Sequence, residues 1–202
     1  MTSISVENLS KRYGYQWIIR DFNQCFDHNL IYGISGNNGS GKSTLIKMLS
    51  GYLSPTSGDI KFIENGKIKP INIVFEQISL AAPYTDLINE FTLEEVFSFH
   101  CKFKKMNKYL DFKAFESIIE LSGHSKKTMQ HFSSGMKQKV QLAMALLSET
   151  PILLLDEPTS FLDQSAKEWF TTLLQENTKD KIVIIASNDS YDLKFCENII
   201  PL

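Results

Sequence analysis

Gly36 to Thr44 reads Gly-Asn-Asn-Gly-Ser-Gly-Lys-Ser-Thr, the spacing G-x-x-x-x-G-K-[ST] of a phosphate-binding loop. An apolar stretch, Leu30 to Ile34, precedes it, and Leu45, Ile46, Met48 and Leu49 follow at helical spacing until Gly51. Strand, glycine loop, helix is the order a phosphate site requires. Backbone N–H groups of Gly36, Asn37, Asn38, Gly39, Ser40 and Gly41 converge with a helix N-terminus on an anion. Lys42 is the cation for the outer phosphates; Ser43, next to Thr44, offers a hydroxyl to Mg²⁺. A chance glycine-rich turn would not bring this context with it.

The second constellation is acidic. Four apolar residues, Ile152 to Leu155, run into Asp156 and Glu157. A buried parallel strand ending there sets Asp156 beside the loop as a partner for Mg²⁺. Glu157, one residue on, is placed to act as general base toward a water. On its own the segment would read as a core strand with an acidic end; the loop upstream gives it chemistry.

Elements must position these groups. Ile4 and Val6 alternate with polar residues, and Trp17, Ile18, Ile19, Phe22 and Phe26 form a second apolar stretch. Turn chemistry at Pro55 and Gly58 precedes another short strand. Roughly residues 80–147 read as helical, with segments around Val96 to Phe99, Phe115 to Leu121 and, after Ser133, Val140 to Leu146. The last third returns to buried strands at Ile152 to Leu155 and Ile182 to Ile185, around a helix carrying Trp169, Phe170, Leu173 and Leu174. The expected fold class is α/β over one domain, 1–202, with a helical part inserted at about 80–147.

With those residues in hand, the chain resembles the nucleotide-binding subunits of ABC transporters over nearly its whole length. Phe132 to Met136, Phe-Ser-Ser-Gly-Met, is similar to the family signature that opens a helix. The resemblance implies a P-loop NTPase core with a mostly parallel sheet, an N-terminal antiparallel β part and an inserted helical signature part. It implies that Ser133 and Gly135 complete an ATP site on a second subunit, whereas by itself Ser133 reads as a helix N-cap. It gives Tyr13 the adenine-stacking place, with Tyr15 as fallback. Gln77 takes the place of the glutamine that senses Mg²⁺ and water and couples to the helical part. Ser160 to Asp163 resembles the loop that crosses between subunits.

Departures from the family pattern carry expectations too. Phe132, Ser134 and Met136 stand where Leu, Gly and Gln are usual, and Glu76 stands where proline is frequent. Asn188 occupies the place of the family's switch histidine. An amide still donates a hydrogen bond, but it carries no imidazolium charge and shuttles no proton. Slower hydrolysis is the expectation.

Composition narrows the partners. Lys and Arg total 21 against 23 Asp and Glu, a net charge of −2, which argues against a nucleic-acid coat. Three scattered cysteines make neither a disulfide framework nor a zinc cluster, and fit a cytosolic setting. The four histidines lack metal-ligand spacing, and the 14 phenylalanines suit core packing. Lys102, Lys104, Lys105 and Lys108 read as a solvated face, with contact to lipid headgroups as the alternative. No run approaches the ~18 apolar residues of a spanning helix, and no signal-peptide pattern opens the chain.

The expected partners are a separate transmembrane subunit, docked near residues 77–103, and a second ATP-binding subunit, identical or not. ATP and Mg²⁺ are the expected cofactors, at the inner face of the cell membrane. Two other readings stay open: a partner subunit that binds ATP and hydrolyses it weakly or not at all, and an ABC ATPase not tied to transport.

Overall fold

A computed structural model describes residues 2–70, 74–106 and 110–202. Lys108, the last member of the basic run, lies outside the described residues.

Two sheets carry the chain. Strands β1 (Thr2–Tyr13), β2 (Gln16–Asp27), β4 (Ser57–Glu64) and β5 (Lys67–Lys69) form an antiparallel sheet in the order β2-β1-β4-β5. Strands β3 (Leu30–Ser35), β6 (Ile78–Ala81), β7 (Ile152–Asp156), β8 (Ile182–Ser187) and β9 (Asn198–Pro201) form a parallel sheet in the order β6-β7-β8-β3-β9. Every residue of β7 and β8 is buried, as unbroken apolar runs covered on both faces require.

Side chains alternate across that sheet and divide the core in two. Leu153, Leu155, Val183 and Ile185 pack under helices α2 (Leu93–His100), α3 (Phe112–Ile118), α4 (Ser134–Leu147) and α5 (Gln164–Asn177). Ile152, Leu154, Ile182 and Ile184 face the other way, onto α1 (Lys42–Leu49) and the inner face of the antiparallel sheet. One slip of register would exchange the two cores, so the strands are pinned.

Helix starts follow local chemistry. Thr92 and Glu95 form a reciprocal capping box on α2, while Asp111, Ser133 and Asp163 cap α3, α4 and α5 with their side chains. A last short helix, α6 (Ser190–Leu193), is capped by Asp189.

The structure corrects the expected helical stretch at its beginning. Ile78–Ala81 is an edge strand of the parallel sheet, and helix begins only at Leu93. Ile78 and Ala81 are apolar and buried, and four residues are too few to distinguish helix from strand by period. The lysine run is also not one solvated face. Lys104 is half-buried and its ammonium donates to the carbonyls of Phe75 and Ile78. Lys105 pairs with Glu149 at 2.9 Å, and Lys102 is exposed.

Candidate functional site

The parallel strands all point one way, so the ends of β3, β7 and β8 lie side by side. From these ends emerge the glycine loop, Asp156 with Glu157, and Asn188. Carboxyl ends of parallel strands are where α/β folds place ligands.

Glycine is required at two points of the loop. Gly41 has φ +108, and a Cβ there would sit 3.0 Å from Ile18 and 3.1 Å from Ile19. A Cβ on Gly36 would stand 2.5 Å from the Ser40 hydroxyl and 2.7 Å from the Leu202 carbonyl. Helix α1 therefore starts on a glycine, without a side-chain cap and with no acidic residue in its first turn. Its leading N–H groups and the positive end of its dipole remain directed at the loop.

Lys42 is only 6% exposed, and its ammonium bends back over the loop. It donates to the carbonyls of Gly36 at 2.7 Å and Asn37 at 3.3 Å and lies 3.7 Å from Glu157 Oε1. A cleft of about 410 Å³ opens in front, floored by Asn38 to Thr44 and bounded by Tyr13, Ile18 and Glu157. Tyr13 lines this cleft; Tyr15 is fully exposed and does not.

Asp156 is 1% exposed, and neither carboxylate oxygen closes a hydrogen bond. Burial pushes its carboxyl up, opposed by the Ser43 hydroxyl and raised further by the Glu157 charge. A buried, unpartnered carboxylate next to a hydroxyl is costly by itself. Ser43 and Asp156 are hard oxygen donors and fit a cation that keeps water and phosphate oxygens in its shell, as Mg²⁺ does. Among the described residues no group of three His, Cys, Asp or Glu could cage a metal alone, so such an ion would need the nucleotide's oxygens.

Glu157 has φ +46, and its N–H donates to the Ala186 carbonyl at 2.8 Å. That contact ties the turn after β7 to β8. Asn188 leaves the end of β8 and donates to Asn38 Oδ1 at 3.0 Å, so it sits across the glycine loop.

The signature-like residues are elsewhere. Ser133 is exposed and its hydroxyl accepts from the Met136 N–H at 3.2 Å. A Cβ on Gly135 would come within 3.0 Å of the Phe161 carbonyl. Both line a separate hollow of about 220 Å³ with Phe161 and Asp163, and the fold does not bring them to Lys42 within one chain.

Gln77 requires a correction. It ends a 3-10 turn before β6, and Ile78 pairs with Ile152 while Ala81 pairs with Leu155. In parallel register Gln77 is level with Pro151, about 16 Å along the sheet from Asp156. The family-order reading put it at the wrong end of its strand, because the strand begins after Gln77 rather than before it.

Sequence reasoning missed what occupies the correct end. The turn after β6 carries Tyr84, whose hydroxyl is buried without a hydrogen bond and faces Asp156, with burial and that carboxylate raising its pKa. Lys47 of α1 lies 4.0 Å from its ring centroid. The same turn is tied to α4, where Gln141 donates to the Thr85 carbonyl, and Gln138 donates to Pro158 beyond Glu157 at 2.8 Å. Pro83 and the apolar run before it were the available signal.

Loop, buried acid and sheet order define a P-loop nucleotide-binding protein. The ABC transporter family model matches residues 19–160, and the chain belongs to that family. A Bacillus subtilis protein named as an uncharacterized ABC transporter ATP-binding protein is 31% identical over 94% of this chain and 87% of its own length. A Haemophilus influenzae probable ABC transporter ATP-binding/permease protein is 31% identical over the whole chain, which spans 38% of that longer relative. Among solved structures, a putative ABC transporter ATP-binding protein from Pyrococcus furiosus is 27% identical over 99% of this chain and 97% of its own, with TM-score 0.81. A bacterial ABC transporter cassette solved as a dimer shares the fold at 24% identity and TM-score 0.81, over 98% of this chain and 94% of its own. Among the described residues, no helix is long and apolar enough to cross a membrane.

Proposed function

We propose that this chain is the ATP-hydrolysing subunit of a membrane transporter and works as a dimer. The observation that carries it is the convergence of an uncapped helix N-terminus and the Lys42 ammonium on one cleft, with the unpartnered Asp156 carboxylate behind it beside Ser43. Tyr13 stacks on the adenine at the mouth of that cleft. The N–H groups from Gly36 to Gly41 and the first turn of α1, through Thr44, hold the phosphates. Lys42 turns from its carbonyl partners to the β and γ phosphates, a modest rearrangement because Gly36 and Asn37 are weaker partners than an anion.

Ser43 and Asp156 would hold Mg²⁺, which would supply charge neutralisation for the phosphate oxygens. Glu157 orients water and takes its proton. Asn188, already fixed to the glycine loop, donates an amide hydrogen toward the γ-phosphate. It contributes no positive charge there, so turnover is slow. Tyr84 replaces Gln77 in the reading of the metal side of the site: its turn reaches both Asp156 and, through Gln141, helix α4.

Ser133 and Gly135 serve the site of a second copy or a related subunit. Their separation from Lys42 within one chain supports that reading, as does the dimeric cassette of the same fold. The apolar groove formed by Ile88, Phe99 and Phe103 is the docking surface for a membrane-spanning subunit at the inner face of the cell membrane. The relative that carries a permease within one chain supports such a partner.

ATP turnover measured against protein concentration, with Glu157→Gln as the blank, tests the reading. Turnover rises faster than linearly and falls by about 100-fold or more in the variant. Turnover at the blank level at every concentration refutes hydrolysis by two copies of this chain.

A further inference from the structure

The base proposed above does not stand alone. Ser187 is fully buried, and its hydroxyl oxygen lies 2.9 Å from Glu157 Oε2 and 2.7 Å from Asp192 Oδ2. It also accepts the Asp189 N–H at 3.0 Å. Asp192 belongs to α6, is 1% exposed, and has no hydrogen bond on its other oxygen.

The number of protons decides what this arrangement does. Two oxygen–oxygen contacts of hydrogen-bond length need two protons, and the serine hydroxyl supplies one. The second must be a carboxylic acid proton. Asp192 is sealed in the core, where burial raises its carboxyl, whereas the Glu157 side chain is 25% exposed and lies 3.7 Å from the Lys42 ammonium. The acid proton therefore sits on Asp192 and is donated to Ser187 Oγ. The serine hydrogen then has one direction left, toward Glu157 Oε2. Its two lone pairs are filled by Asp192 and the Asp189 N–H, so every position on the hydroxyl is used.

We propose that Asp192 is a positioning residue for Glu157: as a neutral acid it fixes the Ser187 hydroxyl, which in turn holds the Glu157 carboxylate toward the cleft. The inference rests on reading Glu157 as the base. Other groups around Asp192 agree with it. Burial raises its carboxyl, and the charges of Asp189 and Glu157 raise it further, against the Ser187 and Thr159 hydroxyls. Lys167 is engaged by Asp189, at 3.2 Å. The neighbouring Cys196 thiol is pushed up to about 12, chiefly by burial, and stays neutral. A single neutral acid is the consistent state for a buried carboxyl on which the acting charges are those of Asp189 and Glu157. It leaves Glu157 one oxygen held by serine and the other, Oε1, on the side of Lys42.

Infrared difference spectra of the full chain at pH 7, wild type against Asp192→Asn, test the proton directly. The expected result is the C=O stretch of a protonated carboxyl group in the wild type that the substitution removes. Absence of such a band, or its persistence in Asp192→Asn, overturns the proposal. The kinetic arm compares Asp192→Leu with Asp192→Asn. Leucine lowers kcat by about 10- to 100-fold through a misaimed base, with KM for ATP changed less than about twofold. Asparagine recovers most of that loss, because its amide N–H donates to Ser187 as the acid does. An unchanged kcat in Asp192→Leu, or equal losses in both variants, overturns it as well. If the wild type shows no turnover above Glu157→Gln, the hydrolysis reading fails, while the spectra still decide where the proton sits.

Discussion

Two helix N-termini in this molecule look alike in sequence and are treated in opposite ways. Helix α1 follows a glycine loop and has no side-chain cap; its free N–H groups face a cleft walled by its own chain, with Lys42 inside it and Asp156 behind. Helix α4 has a serine before it and a glycine in its first turn, but Ser133 caps it and the end opens to the surface beside exposed Phe161. Neither helix has an acid in its first turn. Both therefore present positive dipole ends, yet only one has the rest of a phosphate site around it. The difference teaches that a helix N-terminus becomes part of a cleft only where its own chain also supplies the cation and the walls.

The largest expected effects break that comparison cleanly. Lys42→Ala removes ATP binding by the isolated chain, read by nucleotide titration at a protein concentration too low for pairing. Gly135→Asp leaves that titration within about twofold but lowers turnover by about 100-fold, since a carboxylate opposes the phosphate where α4 presents N–H groups. If Gly135→Asp weakens binding at low concentration as Lys42→Ala does, the two ends belong to one site and the comparison is wrong.

A smaller effect sharpens the first site. Asn188→His adds a side chain able to carry charge across from Asn38, and steady-state turnover should rise several-fold, on the order of what one charge-assisted hydrogen bond contributes. An unchanged kcat would mean that position 188 does not limit the rate.

The smallest effect on activity concerns the helical side, away from both helix ends. Burial holds the His100 imidazole down to about 4, aided by the nearby Lys104 charge. Ser148 donates to the Met144 carbonyl at 2.6 Å, so it accepts from the His100 Nε2–H at 2.9 Å, and the ring is neutral. As pH falls from about 6.5 to about 4 the unfolded chain takes up a proton that the folded chain refuses. Stability present above pH 6.5 is lost through that window, by up to about 3 kcal/mol. His100→Gln should flatten that limb in urea unfolding at pH 5 against pH 7 and leave turnover at pH 7 unmoved.

The glycine loop and the acidic strand end were legible because their chemistry is local, whereas Asn188 was singled out by the resemblance to the family alone. Spacing within nine residues fixes what Gly36 to Thr44 can bind, and an unbroken apolar run before Asp156 dictates a buried parallel strand. Ser133 was legible as a cap for the same reason, and the hydrogen bond to Met136 bears that out. Gln77 was misplaced because a residue's end of a strand depends on where pairing begins, and β6 is set by its neighbour β7. For Tyr84, Pro83 and the apolar run before it signal only a turn; the fold after β6 carries its ring to Lys47 of α1 and its hydroxyl toward Asp156. Lys104 likewise read as one of a row of surface charges until the carbonyls of Phe75 and Ile78 claimed it.

By itself, then, the sequence determined the fold class, the glycine loop, the carboxylates that end β7, and the family, since each rests on residues close together or on the period of apolar side chains. Tertiary structure decided which groups meet across the sheet: Asn188 with Asn38, Ser187 with Glu157 and Asp192, Tyr84 with Asp156. Apart from Ser187 and Asp192, five positions apart, those meetings join residues 30 to 150 positions apart, and no local pattern encodes them. They exist because parallel pairing in one register brings the ends of β3, β7 and β8 to a single edge, where side chains must satisfy one another or the nucleotide.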